Sequence, residues 1–413
     1  MFAIYNVAVW IATLLLGPIA LLNRKIRLFV TGRKQVFGLL KGHIRDGEPI
    51  IWIHTASLGE FEQGLPIMEM LRAQHPSHKI LVTFFSPSGY EIKKNTAAAD
   101  LVTYLPMDTQ KNAKDFLHIV RPVLAIFVKY EIWPNYLREL QRLEIPTLLI
   151  SSIFNKRQSF FKWYGGFMRK SLFTFTHIFV QDQQSADLLQ GIGYSHVSIA
   201  GDTRLDRVSK IREQDNHLPF MEGFKKGRPC LVAGSTWPPD ETILVEYINN
   251  SRGNTVYAIA PHNIKEDHIK ALKASLTKRT VLYSEMGEQD LGHFDVLIVD
   301  TIGLLTKIYS YADIAYVGGG FLTGLHNTLE PAVFGIPVII GPRYTGFKEA
   351  EDLVSLKGVI SITDGKRFQM VMERLLSDAS LRADTGGQNS HYILNNKGAS
   401  AKIMAAIDSY LRH

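Results

Sequence analysis

The chain holds one cysteine, Cys230, in 413 residues. An internal disulfide is excluded, and no Cys/His cluster has the spacing of a zinc site. Cys230 reads as a small buried residue at the start of a strand. No Asp-x-Asp occurs anywhere, which removes the usual divalent-metal clamp on a diphosphate. No Gly-x-Gly-x-x-Gly follows the first apolar strand, which argues against a dinucleotide dehydrogenase. Low-complexity tracts, internal repeats and a helical basic stripe with interleaved aromatics are missing too. The formal charge of +7 suits an acidic ligand or an anionic membrane surface and is too small to argue for nucleic acid. Neither a metal nor an organic cofactor is expected. Most histidines (His75, His78, His118 and His268 among them) are scattered and read as solvated or packed imidazoles.

What is present is globular, at 46% hydrophobic and 21% charged, and too long for one ordinary core. Residues 2–22 carry no charged side chain, and about twenty apolar residues is spanning length. Arg24, Lys25, Arg27, Arg33 and Lys34 follow. The start lacks the basic region of a cleaved signal peptide, and basic residues after the segment place the bulk of the chain in the cytoplasm. Pro18 permits a kinked or shallow, monotopic insertion. The expectation is a membrane anchor over residues 1–24.

From Pro49 onward the pattern is apolar strand, turn, helix, repeated. Strands are expected at 50–55, 80–85, 101–105, 123–128, 147–151, 177–180 and 197–200, each nearly continuously apolar. A parallel sheet covered on both faces reads this way. A charged, less periodic stretch follows and reads as a linker. The alternation restarts at 230–233, 256–260, 281–283, 296–299, 314–317, 338–340 and 359–362. The expected architecture is two Rossmann-like doubly wound α/β domains facing a cleft. Their boundaries fall at 25–205 for an acceptor-binding domain, 206–228 for the linker and 229–395 for a nucleotide-sugar-binding domain. A helical end, 396–413, is expected to pack back on the first domain.

Residues 318–347 read GGGFLTGLHNTLEPAVFGIPVIIGPRYTGF and are the most informative stretch. Glycines such as Gly319 and Gly320 let a backbone approach a ligand closely, and a helix start near Asn327 offers N–H donors to an anion. Glu330, one turn in, can accept hydrogen bonds from a sugar diol, with His326 and Asn327 beside it. Three more constellations sit at strand ends. In His54-Thr55-Ala56-Ser57-Leu58-Gly59-Glu60, Ser57 and Gly59 supply a turn and Glu60 opens a helix. Glu60 is either a general base at the mouth of the cleft or a glutamate satisfying the helix dipole. In Gly234-Ser235-Thr236-Trp237, donors ahead of a proline-opened helix make either a phosphate cradle or a simple cap. No lysine stands in the P-loop position. In Lys129-Tyr130-Glu131-Ile132-Trp133-Pro134-Asn135, Trp133-Pro134 fixes the loop by packing, and Lys129 and Glu131 point toward the cleft.

These motifs, in this order behind an N-terminal anchor, resemble the Kdo transferases of Gram-negative bacteria, from the anchor to about residue 400. Those enzymes move 3-deoxy-D-manno-octulosonic acid (Kdo) from CMP-Kdo to lipid A precursor. The resemblance implies a GT-B fold and an inverting, metal-independent transfer at the cytoplasmic face of the inner membrane. Glu60 falls on the family's proposed general base, Ala233-Gly234-Ser235-Thr236 on its phosphate loop, and His326-Asn327-x-Leu329-Glu330-Pro331 with Gly341-Pro342 on its nucleotide motif. Ser57, Gly59, Lys129 and Glu131 are then the acceptor side, and the anionic lipid surface a further partner. The chain departs from the family pattern at Lys129, where glutamate is common. It departs again at His262, where the family has Pro-Arg-His, at Ile153, where an arginine is expected, and at Gly346-Phe347. His262 is the candidate to stack on cytosine, and Arg157, Arg204 or Arg343 to supply charge. The rival readings are a GT-B transferase using a UDP-sugar, a sugar-nucleotide epimerase, and a non-catalytic nucleotide- or lipid-binding scaffold.

Overall fold

The structure, a computed structural model, describes residues 1–322 and 324–412. It divides into two compact units, Met1–Arg207 with the chain from Lys397 onward, and Val208–Asn396.

The first unit is built on a seven-stranded sheet: β1 (Ile50–Thr55), β2 (Lys79–Phe84), β3 (Leu101–Tyr104), β4 (Leu124–Val128), β5 (Thr147–Ser152), β6 (His177–Val180) and β7 (Val197–Ile199). The order is β3-β2-β1-β4-β5-β6-β7, and every recorded pairing is parallel. Strand alternation sends neighbouring residues to opposite faces. Ile50 and Trp52 therefore enter one core with Phe116, Phe127 and Tyr136, while Ile51 and Ile53 enter the other with Phe61, Ile126 and Met404. This is why these strands are apolar throughout rather than alternating. The strand order reverses between β1 and β4, the switch point where open α/β sheets bind ligands.

The second unit repeats the plan with β8 (Cys230–Thr236), β9 (Val256–Pro261), β10 (Thr280–Leu282), β11 (Val296–Ile298), β12 (Ile314–Val317), β13 (Val338–Ile340) and β14 (Val359–Ser361). Its order is β10-β11-β9-β8-β12-β13-β14, again parallel, with the reversal between β8 and β12. All fourteen expected strands are present, with ends shifted by a few residues at most. Cys230 is buried in β8, and burial pushes its thiol up to about 12.

Two helices, α1 (Phe2–Leu22) and α2 (Arg24–Lys34), precede the first sheet. The chain after Asn396 returns to the first unit. The helix Ala399–Leu411 inserts Ala399, Ile403, Met404 and Ile407 into that unit's core. Gly398 breaks the expected continuous tail at φ +107, a value glycine adopts without strain. Asp206 caps the helix, accepting from Gly398 N and from Ser400 N at 2.6 Å.

The expected linker, 206–228, is not an open connection. It holds the end of the helix Thr203–Glu213 and then the helix Pro219–Lys225. Its charged residues mislead because few apolar ones do the packing: Met221 and Phe224 are both 0% exposed. Lys225 and Arg228 pair with Asp313 and Asp295, at 2.9 and 3.8 Å. Truncating Phe224 to alanine is expected to destabilise the second unit by about 3–5 kcal/mol, the range for a buried phenylalanine. Denaturant unfolding of the full chain reads this as a lower midpoint; an unchanged midpoint would restore the linker reading.

Candidate functional site

In the first unit the candidate residues gather at the switch point, after the adjacent strands β1 and β4. The helix Leu58–Gln74 starts after β1 with Ser57 as its N-cap and Glu60 in its first turn. The Ser57 hydroxyl donates to Glu60 Oε2, which fixes the carboxylate at the helix start. Gly59 is exposed, and a Cβ built there would meet only Ser57 Oγ, at 3.8 Å. Neither packing nor backbone conformation demands a glycine at this position.

Glu131, after β4, accepts from Trp133 Nε1 at 2.9 Å. Its other neighbour is His54, fully buried on β1, whose Nε2 lies 3.4 Å from Glu131 Oε2. Trp52 Nε1 can only donate, and it donates to Thr83 Oγ1 at 2.8 Å. His54 Nδ1 shares a hydrogen bond with the same Thr83 hydroxyl at 2.9 Å, and its Nε2 faces Glu131. His54 thus approaches Glu131 closely, while the recorded hydrogen bond that fixes this carboxylate comes from Trp133. Lys129 has φ +71, and its ammonium lies 5.3 Å from the Tyr130 ring centre.

The second unit gathers its residues after β8 and β12, the strands flanking its own switch point. Asp240 is fully buried and organises them. Its carboxylate accepts from Tyr316 Oη at 2.7 Å, Trp237 N at 2.9 Å and Gly319 N at 3.0 Å. The glycine segment is shaped by backbone meeting backbone. A Cβ on Gly320 would stand 2.8 Å from Gly341 Cα, and one on Gly318 would strike the Ser235 carbonyl. A Cβ on Gly234 would strike the Tyr309 hydroxyl. Close packing within the protein therefore accounts for these glycines, where close approach of a ligand was expected to.

Two further expectations change. Residues 234–236 belong to the end of β8, with a register shift between Gly234 and Thr236 and φ +54 at Ser235. The helix beyond, Pro238–Asn250, is a poor phosphate cradle. Pro238 and Pro239 have no N–H, and the Asp240 carboxylate already occupies the helix start. Thr236 is turned inward, its hydroxyl donating to Glu241 Oε1 at 3.0 Å, while the Ser235 hydroxyl has no partner among the described residues. The helix after Asn327 is short, Leu329–Ala332, with Glu330 in its only turn. Glu330 is held by Thr306 Oγ1 and Asn327 Nδ2, each at 3.0 Å.

His326 and His262 come together against Trp237. The His262 ring lies 4.5 Å from Trp237 and 4.6 Å from His326, stacked on both. Trp237 Nε1 donates to His326 Nε2 at 3.0 Å, so the His326 proton sits on Nδ1. Of the arginines proposed to supply charge, Arg204 is bound to Asp202 at 2.6 Å and Arg343 donates to the Leu322 carbonyl at 2.7 Å. The sequence reading quoted Trp237 and His54 within motifs without a role of their own, and gave none to Asp240 or Thr306. Asp240 had a signal, an acidic residue at the third position of a helix opened by two prolines.

Solved structures of similar fold include UDP-GlcNAc 2-epimerase from Neisseria meningitidis, 13% identical with a TM-score of 0.63 over 87% of this chain and all (100%) of that one. MurG from Acinetobacter baumannii is 10% identical, with a TM-score of 0.57 over 87% and 99%. At such identities the likeness is one of fold, and it defines the class: two doubly wound α/β units of the GT-B type. Residues 31–207 match the family model of 3-deoxy-D-manno-octulosonic-acid transferase (kdotransferase). The enzyme of that name from Chlamydophila psittaci is 28% identical over 91% of this chain and 88% of its own. That from Haemophilus influenzae is 26% identical over 87% of each. The chain is similar to Kdo transferases over most of its length and is a glycosyltransferase.

Burial lowers both His262 and His326 below the usual imidazole value, with His262 adding to the effect on His326. A histidine depressed on folding binds its proton more weakly than in the unfolded chain. Its contribution to stability is complete above the unfolded value, about 6.5, and is lost as pH falls through the folded one. NMR titration should place both imidazoles below the unfolded value, and the second unit should lose stability on acidification in that window. Titration of either ring above the unfolded value would refute the assignment.

Proposed function

We propose that this protein transfers Kdo from CMP-Kdo to a lipid A precursor in lipopolysaccharide synthesis, inverting the anomeric centre without metal. Similarity to the Kdo transferases over most of the chain supports Kdo transfer, and the missing Asp-x-Asp supports a metal-free site. The observation that carries the mechanism is the carboxylate of Glu60, held by Ser57 at a switch point beside a glycine that the protein itself does not need. In this reading Glu60 takes the proton from an acceptor hydroxyl. That oxygen attacks the anomeric carbon of Kdo on the face opposite CMP, and the phosphate leaves with the electron pair of the broken C–O bond. Glu131, oriented by Trp133, lies on the acceptor side with Lys129. The second unit holds the donor: Glu330 and Asn327 bind a diol, and the His262–Trp237 stack supports the base. The Ser235 hydroxyl and His326 Nδ1–H meet the phosphate.

The proposed setting is the cytoplasmic face of the bacterial inner membrane. α1 attaches the chain there, and Arg24, Lys25 and Arg27, all exposed, meet anionic headgroups at about 1 kcal/mol each.

Replacing Glu60 by glutamine is expected to slow transfer by roughly 10²–10⁴-fold while CMP binding stays intact. Normal turnover by that variant would remove Glu60 from the mechanism. Gly59→Ala separates function from folding. Alanine gains about 1 kcal/mol of helix propensity over glycine, so this variant should be at least as stable as the parent and yet transfer more slowly. An assay of CMP-Kdo with lipid acceptor in EDTA should give product. Failure there, with binding of a UDP-sugar instead, would favour the UDP-sugar transferase.

A further inference from the structure

α1 is long enough to cross a bilayer, and almost none of it is buried: of its residues only Ala20 is. Leu21 and Leu22 are 83% and 93% exposed, and Ile4, Val7, Trp10, Ile11, Leu14, Leu15 and Ile19 are exposed as well. Composition alone would make it a spanning helix. Its first two turns, however, are fastened to the first unit. Tyr5 Oη donates to Asp108 at 2.5 Å, and Asn6 Oδ1 accepts from Asn135 Nδ2 at 2.9 Å. Phe2 and Tyr5 pack on Phe167 at 5.9 and 5.6 Å between ring centres, and the Arg138 guanidinium lies over Phe2. Asp108 is 1% exposed and also accepts from the backbone N–H groups of Asn135 and Tyr136. Pulling Tyr5 away would deprive a buried carboxylate of its shortest hydrogen bond.

The other end is fastened too. Asn23 turns the corner in an extended conformation and caps α2 by accepting from Lys25 N and Ile26 N, at 2.9 and 3.2 Å. α2 then runs back to Arg33, whose guanidinium donates to the carbonyls of Leu105 and Phe85 at 2.9 and 2.8 Å. Leu105 and Asp108 are three residues apart in sequence, so the pair of helices leaves and rejoins the unit at nearly one place. The corner stands no further from the unit than α2 allows, about 15 Å from Asn23 to Arg33 at about 1.5 Å per residue, and Phe29 of α2 already packs on Phe85. Arg24 and Lys25 sit directly on that corner, and their charges keep it at headgroup depth. Both ends of α1 are thus held at the level of the membrane surface.

We infer that α1 does not cross the bilayer but lies along it, embedded in a single leaflet, with the amino terminus on the same side as the catalytic units. This rests on the proposed membrane attachment. The occupant of the exposed apolar surface is the acyl boundary of that leaflet, where in-plane helices sit about 5–10 Å deep.

The test places an environment-sensitive fluorophore, in a Cys230→Ala background of the full chain, at Ala8→Cys, Leu15→Cys or Leu22→Cys. The vesicles contain phosphatidylethanolamine and phosphatidylglycerol, with a doxyl quencher either high on the acyl chain or near its end. All three positions should be quenched more by the high quencher and to similar extents. A profile in which Leu15 is quenched best by the deep probe while Ala8 and Leu22 are not would overturn the inference and leave attachment standing. Absence of any fluorescence change with vesicles would overturn both. A cysteine-bearing N-terminal extension should resist an impermeant maleimide in intact spheroplasts and react after lysis; labelling before lysis would mean that α1 crosses.

Discussion

A carboxylate sealed from water has to be met by donors, and the second unit is arranged around one. Asp240 draws the Trp237 and Gly319 amides and the Tyr316 hydroxyl onto two oxygens. Those donors come from the end of β8, from β12 and from the glycine turn beyond it. Fixing Trp237 fixes the ring that His262 and His326 stack on. Fixing Gly319 fixes the turn that leads to Asn327 and Glu330. A buried carboxylate tolerates little displacement of its partners, so one side chain sets the registry of three stretches that lie apart in sequence, around Trp237, at His262 and over 319–330.

Asp108 plays the matching part in the first unit. It takes the first amides of the helix that follows Trp133-Pro134, and Tyr5 from α1. Burial raises its carboxyl above the usual range, and the hydrogen bonds from Tyr5 and Asn135 oppose that rise. A second route joins the same elements: Arg33 of α2 lies over the Phe85 ring, Phe85 packs on Trp133 at 4.7 Å, and Trp133 donates to Glu131. The surface proposed to meet lipid and the side chain proposed to meet the acceptor are therefore parts of one packed assembly.

The fold was almost wholly legible in the sequence because parallel strands buried on both faces leave an unbroken apolar signal, which the central strands carry and the edge strands β7 and β14 carry only in part. The helical connection at 206–228 was not, because a few buried side chains, Val208, Ile211, Leu218, Met221 and Phe224, pack a segment whose charges dominate its composition. At the candidate site, the motifs were legible and their inner workings were not. Glycine reads the same whether it makes room for a ligand or for a neighbouring strand, and only the contacts of Gly320 with Gly341 decide between them. Likewise Thr236 and Ser235 are equivalent as letters, while a bulge turns one hydroxyl inward to Glu241 and leaves the other outward.

That difference bears on how a leaving phosphate can be stabilised. A helix start normally supplies N–H donors and a partial positive charge. Here two prolines remove donors and Asp240 cancels the charge at one helix, and the other has a single turn. The histidines are depressed toward the neutral form, Arg204 is neutralised by Asp202, and Arg343 is committed to a carbonyl. Among the residues proposed for the donor side, the Ser235 hydroxyl and the His326 Nδ1–H are neutral donors, and Arg343 keeps its positive charge. Two preorganised dipoles stabilise charge that develops during bond breaking more selectively than a fixed cation, which would also bind the ground-state phosphate. In the proposed donor site Asp240 is the residue that keeps Trp237, and through it His326, in place.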